Sequence, residues 1–75
     1  MSDADLLKTA IAAAGLSARR FAIEVLGVDE RTARYWLADV RAMPGTVRIV
    51  CRAIIERPPL ARELQDAHAG LIERG

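Results

Sequence analysis

The sequence contains few of the residues that build disulfides, metal sites and membrane segments. It has one cysteine, one histidine, three prolines and 4% aromatic residues in 75 positions. The lone Cys51 excludes an internal disulfide and a cysteine-based zinc site, and it favours a reducing, cytoplasmic compartment. No apolar run is long enough to cross a membrane, and the first five residues are acidic, whereas a signal peptide begins with basic residues. We therefore expect no membrane association.

Groups that carry out catalysis are also missing. The sequence shows no paired carboxylates, no cluster of metal ligands and no Gly-rich phosphate loop. His68 has no cysteine nearby and no Ser/Asp arrangement around it, which favours a surface or packing role. A chain of this length also has too small a core to enclose a deep catalytic cleft easily. These absences predict a protein that is not an enzyme and that needs no metal, cofactor or small-molecule ligand.

The apolar residues that are present recur mainly at helical spacing. They predict one all-α domain over residues 1–75, a compact fold of five helices. Helix one lies within residues 1–15, a helix-turn-helix occupies 17–39, helix four 44–57 and a terminal helix 60–74. The predicted core combines the apolar stripes of helices two to four: Phe21, Ala22, Ala33, Trp36, Leu37, Val50 and Ile54. Helix four, with Ile49 in its apolar run and Cys51 as a small buried side chain, is expected to be the central core helix.

The stretch SARRFAIEVLGVDERTARYWLAD, residues 17–39, is typical of two short helices joined by a tight turn at Gly27. Ser17 and Asp29 are good caps for the two helices, because their side-chain oxygens can accept from free N–H groups of the first turn. Two helices joined in this way predict a helix-turn-helix, whose second helix enters the DNA major groove. The charge agrees, since residues 17–52 hold seven arginines against four acidic residues, whereas both flanking segments are slightly acidic.

Helix three is predicted to contact bases with the face opposite Trp36. That face carries Arg31, Arg34 and Tyr35; arginine pairs with guanine O6 and N7, and tyrosine reaches a phosphate or a thymine methyl. Glu30 can accept from a cytosine amino group, or it is an ordinary acid of the first turn. Arg34 has an alternative too, an i,i+4 ion pair with Glu30 that says nothing of DNA.

Phosphate contacts are predicted on both sides of helix three. Arg19 and Arg20 oppose the dipole at the N-terminus of helix two, a conflict that a docked phosphate would remove, although both can equally be solvated surface arginines. Arg41, Thr46 and Arg48 lie where the following loop and helix start can brace the DNA backbone.

The terminal helix carries a narrow apolar stripe whose members are Leu60, Leu64, Ala67 and Leu71. Such a stripe either closes the core of the monomer or pairs with its twin in a dimer. We expect the dimer, because helix-turn-helix proteins usually bind paired half-sites.

Residues 16–55 resemble the Cro/C1-type (XRE-like) helix-turn-helix family of bacterial and phage repressors. The matching pieces are Leu16-Ser17, Phe21-Ala22, Leu26-Gly27-Val28, Asp29-Glu30-Arg31-Thr32, Trp36-Leu37 and the later Pro-led helix. The segment ERTARYWL is also weakly similar to the small anti-CRISPR-associated repressors. One departure lies in helix two, where Ala22 precedes the turn Gly27 by five residues and the family has four. The extra residue predicts a longer helix two or a looser turn.

The resemblance implies a five-helix DNA-binding domain that works as a dimeric regulator in a bacterial cell or a phage-infected host. By position it places base contacts on Glu30, Arg31, Thr32 and Tyr35, with Arg34 beside them. It places phosphate contacts around Ser17, Ala18 and Arg19 and in the loop after helix three.

The hypothesis is thus a sequence-specific binder of double-stranded DNA, an autoregulatory repressor that occupies an operator as a homodimer. The alternative keeps the helical scaffold but makes it a protein-interaction module, such as an antitoxin or an assembly adaptor.

Overall fold

Five helices follow one another in the structure, a computed structural model that describes residues 2–74, with side chains up to residue 70. α1 spans Asp3–Ala14, α3 Glu30–Leu37, α4 Gly45–Glu56 and α5 Pro59–Arg74, while α2 begins at Ala18–Arg20 and continues as a π-helical segment, Phe21–Leu26. The predicted all-α fold is confirmed. Among the described residues there is no strand, and no helix is both long and apolar enough to cross a membrane.

Three of these helices have an N-cap residue whose side chain accepts a hydrogen bond from the first turn. The Ser2 hydroxyl accepts from the backbone N–H of Asp5 (3.1 Å), and the Ser17 hydroxyl does the same for Arg20 (3.2 Å). At α3 the Asp29 carboxylate accepts from the N–H of Thr32 (2.8 Å). Each bond satisfies a donor that has no partner within the helix, so these caps fix where α1, α2 and α3 begin.

The core lies where α1 packs along α4 and α5 packs across α2. Its largest fully buried side chains are Leu7, Phe21, Cys51 and Ile54. Burial raises the pKa of the Cys51 thiol to about 11, so the thiol stays protonated and behaves as a small apolar group. Of the predicted core, five residues are buried and two are half-buried against it; the buried ones are Phe21, Ala22, Ala33, Trp36 and Ile54, the half-buried ones Leu37 and Val50.

One residue of the apolar run in α4 lies outside the core. Ile49 is 68% exposed, although the run predicted a helix central to the core. The reason is geometric: α1 and α5 cover α4 on the side of Cys51 and Ile54, and at about 100° per residue Ile49 points away from both. α4 is therefore amphipathic, and its apolar sequence run is wider than its buried stripe.

The extra residue of helix two is taken up by a change of helical winding. The Gly27 N–H bonds to the carbonyl of Ala22, five residues back, and the Val28 N–H bonds to the same oxygen (3.0 Å). π-helical bonding of this kind fits one more residue before the turn than α-helical bonding would. Gly27 itself keeps the left-handed conformation of a helix stop, with φ 70°. The turn is therefore preserved, and α2 absorbs the insertion.

α3 ends at Leu37, two residues before the predicted Asp39, in a turn that bends the chain back. Asp39 has φ 58°, the left-handed region, and its N–H bonds to the carbonyl of Trp36 (3.2 Å). The N–H of Val40 bonds to the carbonyl of Tyr35 (2.9 Å), which completes a Schellman-type stop. This position usually holds glycine, because a Cβ is strained in the left-handed region.

Replacing Asp39 with Gly is therefore expected to raise the free energy of unfolding by about 0.5–1 kcal/mol. Urea unfolding followed by the fluorescence of Trp36, which is buried and is the single tryptophan, measures the change. Asp39→Ala is the matched control, since it removes the same carboxylate but keeps a Cβ, and we expect it to destabilise the protein. Equal effects of the two substitutions would assign the change to charge and contradict the conformational explanation.

Candidate nucleic-acid interface

The predicted base-contacting residues of α3 lie together on the surface. Arg31, Arg34 and Tyr35 line one shallow cleft, which Ala38 and Val40 complete. Trp36 points the opposite way, into the core, and fixes the rotation of α3. Both arginines are exposed, and within the part of the chain that the structure describes neither has a carboxylate within 4 Å. The alternative pairing of Arg34 with Glu30 is therefore not formed in this structure.

Arg41 joins this cleft through Tyr35. Its guanidinium carbon lies 5.0 Å from the centroid of the Tyr35 ring, a cation–π distance. The backbone N–H of Arg41 also donates to the backbone carbonyl of Tyr35, with 3.4 Å between nitrogen and oxygen. Arg31 and Arg34 thus share a cleft with Tyr35, and Arg41 stacks on its ring; we call these four residues the arginine cluster.

Two other arginines that were predicted to contact phosphate are held by carboxylates. Arg20 donates Nε and Nη2 to Glu24 (2.9 and 3.2 Å), and Arg48 donates the same two groups to Asp3 (2.9 and 3.1 Å). A phosphate would have to compete with these bidentate pairs. Phosphate contact by Arg20 and Arg48 stays a prediction, as it does for the exposed Thr46, which lines a separate groove between α2, α4 and α5.

The beginnings of α2 and α3 lie side by side. Arg19 is exposed, and its Nε is 4.0 Å from a carboxylate oxygen of Glu30 in the first turn of α3. Ser17 and Ala18 begin α2 at the same end, so the N-termini of the two helices are neighbours. Thr32 is half-buried, and its hydrogen bonding holds the pKa of the Asp29 carboxyl below its ordinary value. The DNA contacts assigned to these residues stay predictions.

The loop between α3 and α4 is tied to the start of α1 by a residue that the sequence analysis did not single out. The Asp3 carboxylate accepts from the backbone N–H of Met43 (2.9 Å) as well as from Arg48. The Arg48 guanidinium and this N–H lower the pKa of the carboxyl, which stays ionised. Asp3 therefore acts as a clamp that orders the loop carrying Val40 and Arg41, and its partner 45 residues away gives no local sequence signal.

α5 holds α2 in place through Glu24 and its carbonyl. Gln65 donates to the Glu24 carboxylate (2.9 Å), which also binds Arg20, and both bonds lower the pKa of Glu24. Nδ1 of His68 is 2.8 Å from the backbone carbonyl of Glu24. A carbonyl only accepts, so Nδ1 carries the proton. His68 also packs against the Gly27 turn, where a Cβ would come within 3.4 Å of Nε2, so it joins α5 to the end of α2.

The predicted dimer residues divide into three groups. Leu60 and Leu64 are half-buried against the core of their own chain, and Ala67 is exposed. The side chain of Leu71 lies outside the described residues. The first half of the stripe thus helps to close the monomer, and a dimer stays a prediction.

Sequence reasoning missed Val40, which is 66% exposed and lines the cleft beside the arginine cluster. Its only signal is an isolated branched apolar residue between the charged Asp39 and Arg41. The site as a whole offers guanidinium donors, an aromatic ring and small apolar surfaces. No group of three or more His, Cys, Asp or Glu that could hold a metal occurs among the described residues. Comparisons with protein-family models, with curated proteins and with solved structures gave no match.

Proposed function

We propose that the protein is a sequence-specific DNA-binding regulator whose α3 contacts bases in the major groove. The observation that carries the proposal is the arginine cluster. Arg31 and Arg34 line one cleft with Tyr35, and Arg41 stacks on the ring of Tyr35. None of the three arginines has a carboxylate partner among the described residues, while Arg20 and Arg48 are paired with Glu24 and Asp3. Three positive charges without a carboxylate partner in the described part of the chain therefore lie on one surface, which suits contact with a polyanion.

The dimensions of α3 support the same function. α3 is an α-helix of eight residues, and an α-helix with its side chains is about 10–12 Å across, which fits the major groove of about 12 Å in width. Its exposed face carries side chains that can form bidentate bonds with guanine, and its opposite face is anchored by Trp36 and Ala33. Because one face of α3 is packed against the core, the helix does not have to be ordered when its exposed face contacts base edges, so binding costs little conformational entropy.

The proposal extends to an autoregulatory repressor that acts by occupying an operator in the cytoplasm of a bacterial cell or a phage-infected host. A small domain of this kind needs no effector site to repress, because bound protein excludes polymerase from the promoter. Binding as a homodimer would double the contact surface and match two half-sites one helical turn apart.

The proposal is tested by equilibrium binding at physiological salt to a duplex from upstream of the protein's own gene, beside a scrambled duplex of equal composition. A preference of about a thousandfold or more supports specific recognition and autoregulation. Equal, weak and salt-sensitive binding to both duplexes contradicts the autoregulatory part, and a random pool then tests for an operator elsewhere. No binding to either duplex at low salt would overturn the proposal.

Replacing Arg41 with Ala is expected to weaken binding by a similar factor on every duplex and to reduce the slope of log K against log salt by about one unit. The reason is that a phosphate contact releases about one counterion, whatever the sequence. Arg41→Lys is the matched control, because it keeps the charge and loses the planar stacking on Tyr35. A slope for Arg41→Ala identical to that of the parent would show that Arg41 touches no phosphate.

A further inference from the structure

Val40 is an exposed apolar residue in a polar, positively charged setting. Large hydrophobic side chains that are exposed among the described residues are Ile23 on α2, Ile49 on α4 and Val40. Single exposed apolar residues are common on protein surfaces and need no function. Val40 differs from the other two by its place, because it lines the cleft formed by Arg31, Arg34, Tyr35 and Ala38.

A tight turn and a backbone hydrogen bond hold Val40 in that place. Its N–H bonds to the carbonyl of Tyr35 (2.9 Å), and the left-handed Asp39 directs the chain back along α3. On the other side, Arg41 stacks on the Tyr35 ring, and Asp3 holds the N–H of Met43. The isopropyl group is therefore presented on a defined turn, as a specificity residue must be.

The chemistry of the cleft limits what Val40 can contact. Arginine side chains select guanine through O6 and N7, and an apolar group beside them gains nothing from a polar base edge. The apolar feature that DNA presents in the major groove is the C5-methyl group of a pyrimidine, which thymine carries and methylated cytosine shares. Ala38, small and exposed in the same cleft, leaves room for that methyl group.

We propose that Val40, with Ala38, contacts the C5-methyl group of a pyrimidine next to a guanine that an arginine of the cluster binds. The inference rests on the proposed function and adds a statement about the base sequence that the protein prefers. The preferred site contains guanine beside a methyl-bearing pyrimidine, and Val40 supplies discrimination for the methyl group.

The experiment begins with a duplex selected by the parent protein from a random pool, in which each thymine is then replaced singly by deoxyuridine. This replacement removes one methyl group and keeps every hydrogen-bonding group. At one thymine of the recognition site we expect the parent to lose about fourfold in affinity, which is the value of one buried carbon. The Val40→Ala variant should lose most of this fourfold difference between the thymine and deoxyuridine duplexes, because only Ala38 then contacts the methyl group.

Ile49→Ala is the matched control, because Ile49 is as exposed as Val40 but lies on α4 and does not line the cleft. It should keep the full fourfold penalty. A second arm places 5-methylcytosine at each cytosine of the selected duplex. A gain of about fourfold that mostly disappears in Val40→Ala would identify methylated cytosine as the source of the methyl group.

The outcomes separate this inference from the function on which it rests. If no duplex is enriched from the pool, the proposed function fails and the inference fails with it. If a duplex is enriched but no methyl group matters, or if the methyl effect is equal in the parent and in Val40→Ala, the inference is overturned while the DNA-binding function stands.

Discussion

Replacing Phe21 with Ala is expected to lower the free energy of unfolding by about 3–5 kcal/mol. Phe21 is fully buried and lies in one cluster with Leu7, Cys51 and Ile54, side chains that α1 and α4 supply. Removing the ring leaves a cavity in the core, which the neighbouring helices can fill only by moving. A domain of this size has about 4–11 kcal/mol of stability in total, so a large part of it would be lost.

The loss is measured by urea unfolding with the fluorescence of Trp36 as the probe. Ile49→Ala is the control, since it deletes a similar apolar side chain from an exposed site and is expected to change stability by less than about 0.5 kcal/mol. A loss below about 1 kcal/mol for Phe21→Ala would mean that the core is not packed around the ring.

Features that depend on neighbours in sequence could be predicted before the structure. Ser17 and Asp29 were predicted as helix caps, and each accepts from an N–H group three residues further on. Capping is a local event that needs only a side-chain oxygen at the right offset, so the sequence contains all of the information. Helical periodicity works in the same way, and it placed Trp36 inside and Arg31 outside.

Features that depend on distant residues could not be predicted. The spacing of Ala22 and Gly27 indicated one extra residue in helix two relative to the family pattern, but it was compatible with either a longer helix or a looser turn. In the structure, Gln65 and His68 of α5 hold the π-helical segment through Glu24, about 40 residues earlier in the chain. Nothing in residues 17–28 indicates those partners.

The candidate interface shows both kinds of information. Arg31, Arg34 and Tyr35 follow from the period of α3, whereas the positions of Val40 and Arg41 depend on the left-handed Asp39. If α3 had continued to Asp39, as predicted, Val40 would have followed the end of the helix and would have lain away from the cleft. Because α3 ends earlier, the chain turns back beside α3. Val40, which belongs to no periodic pattern in the sequence, therefore becomes part of the cleft.

Replacing Arg31 with Ala is expected to remove discrimination at one base pair of the preferred site, at a cost of about 1–3 kcal/mol on that site. Arg31 is exposed in the first turn of α3, the part of a recognition helix that lies deepest in the groove. Its loss should leave the affinity for site variants already altered at that base pair nearly unchanged. Specificity would relax at one position and persist at the others.

The measurement is a set of equilibrium affinities for duplexes that carry every single base-pair substitution of the preferred site. Arg62→Ala is the control, because it removes one exposed arginine from α5 and changes the net charge equally. It should lower all affinities slightly and alter the preference at no base pair. If Arg31→Ala also lowered all affinities slightly and altered no base preference, Arg31 would contact a phosphate and not a base. Unchanged affinity on every duplex would remove Arg31 from the interface, and base contact would then fall to Arg34 and Tyr35.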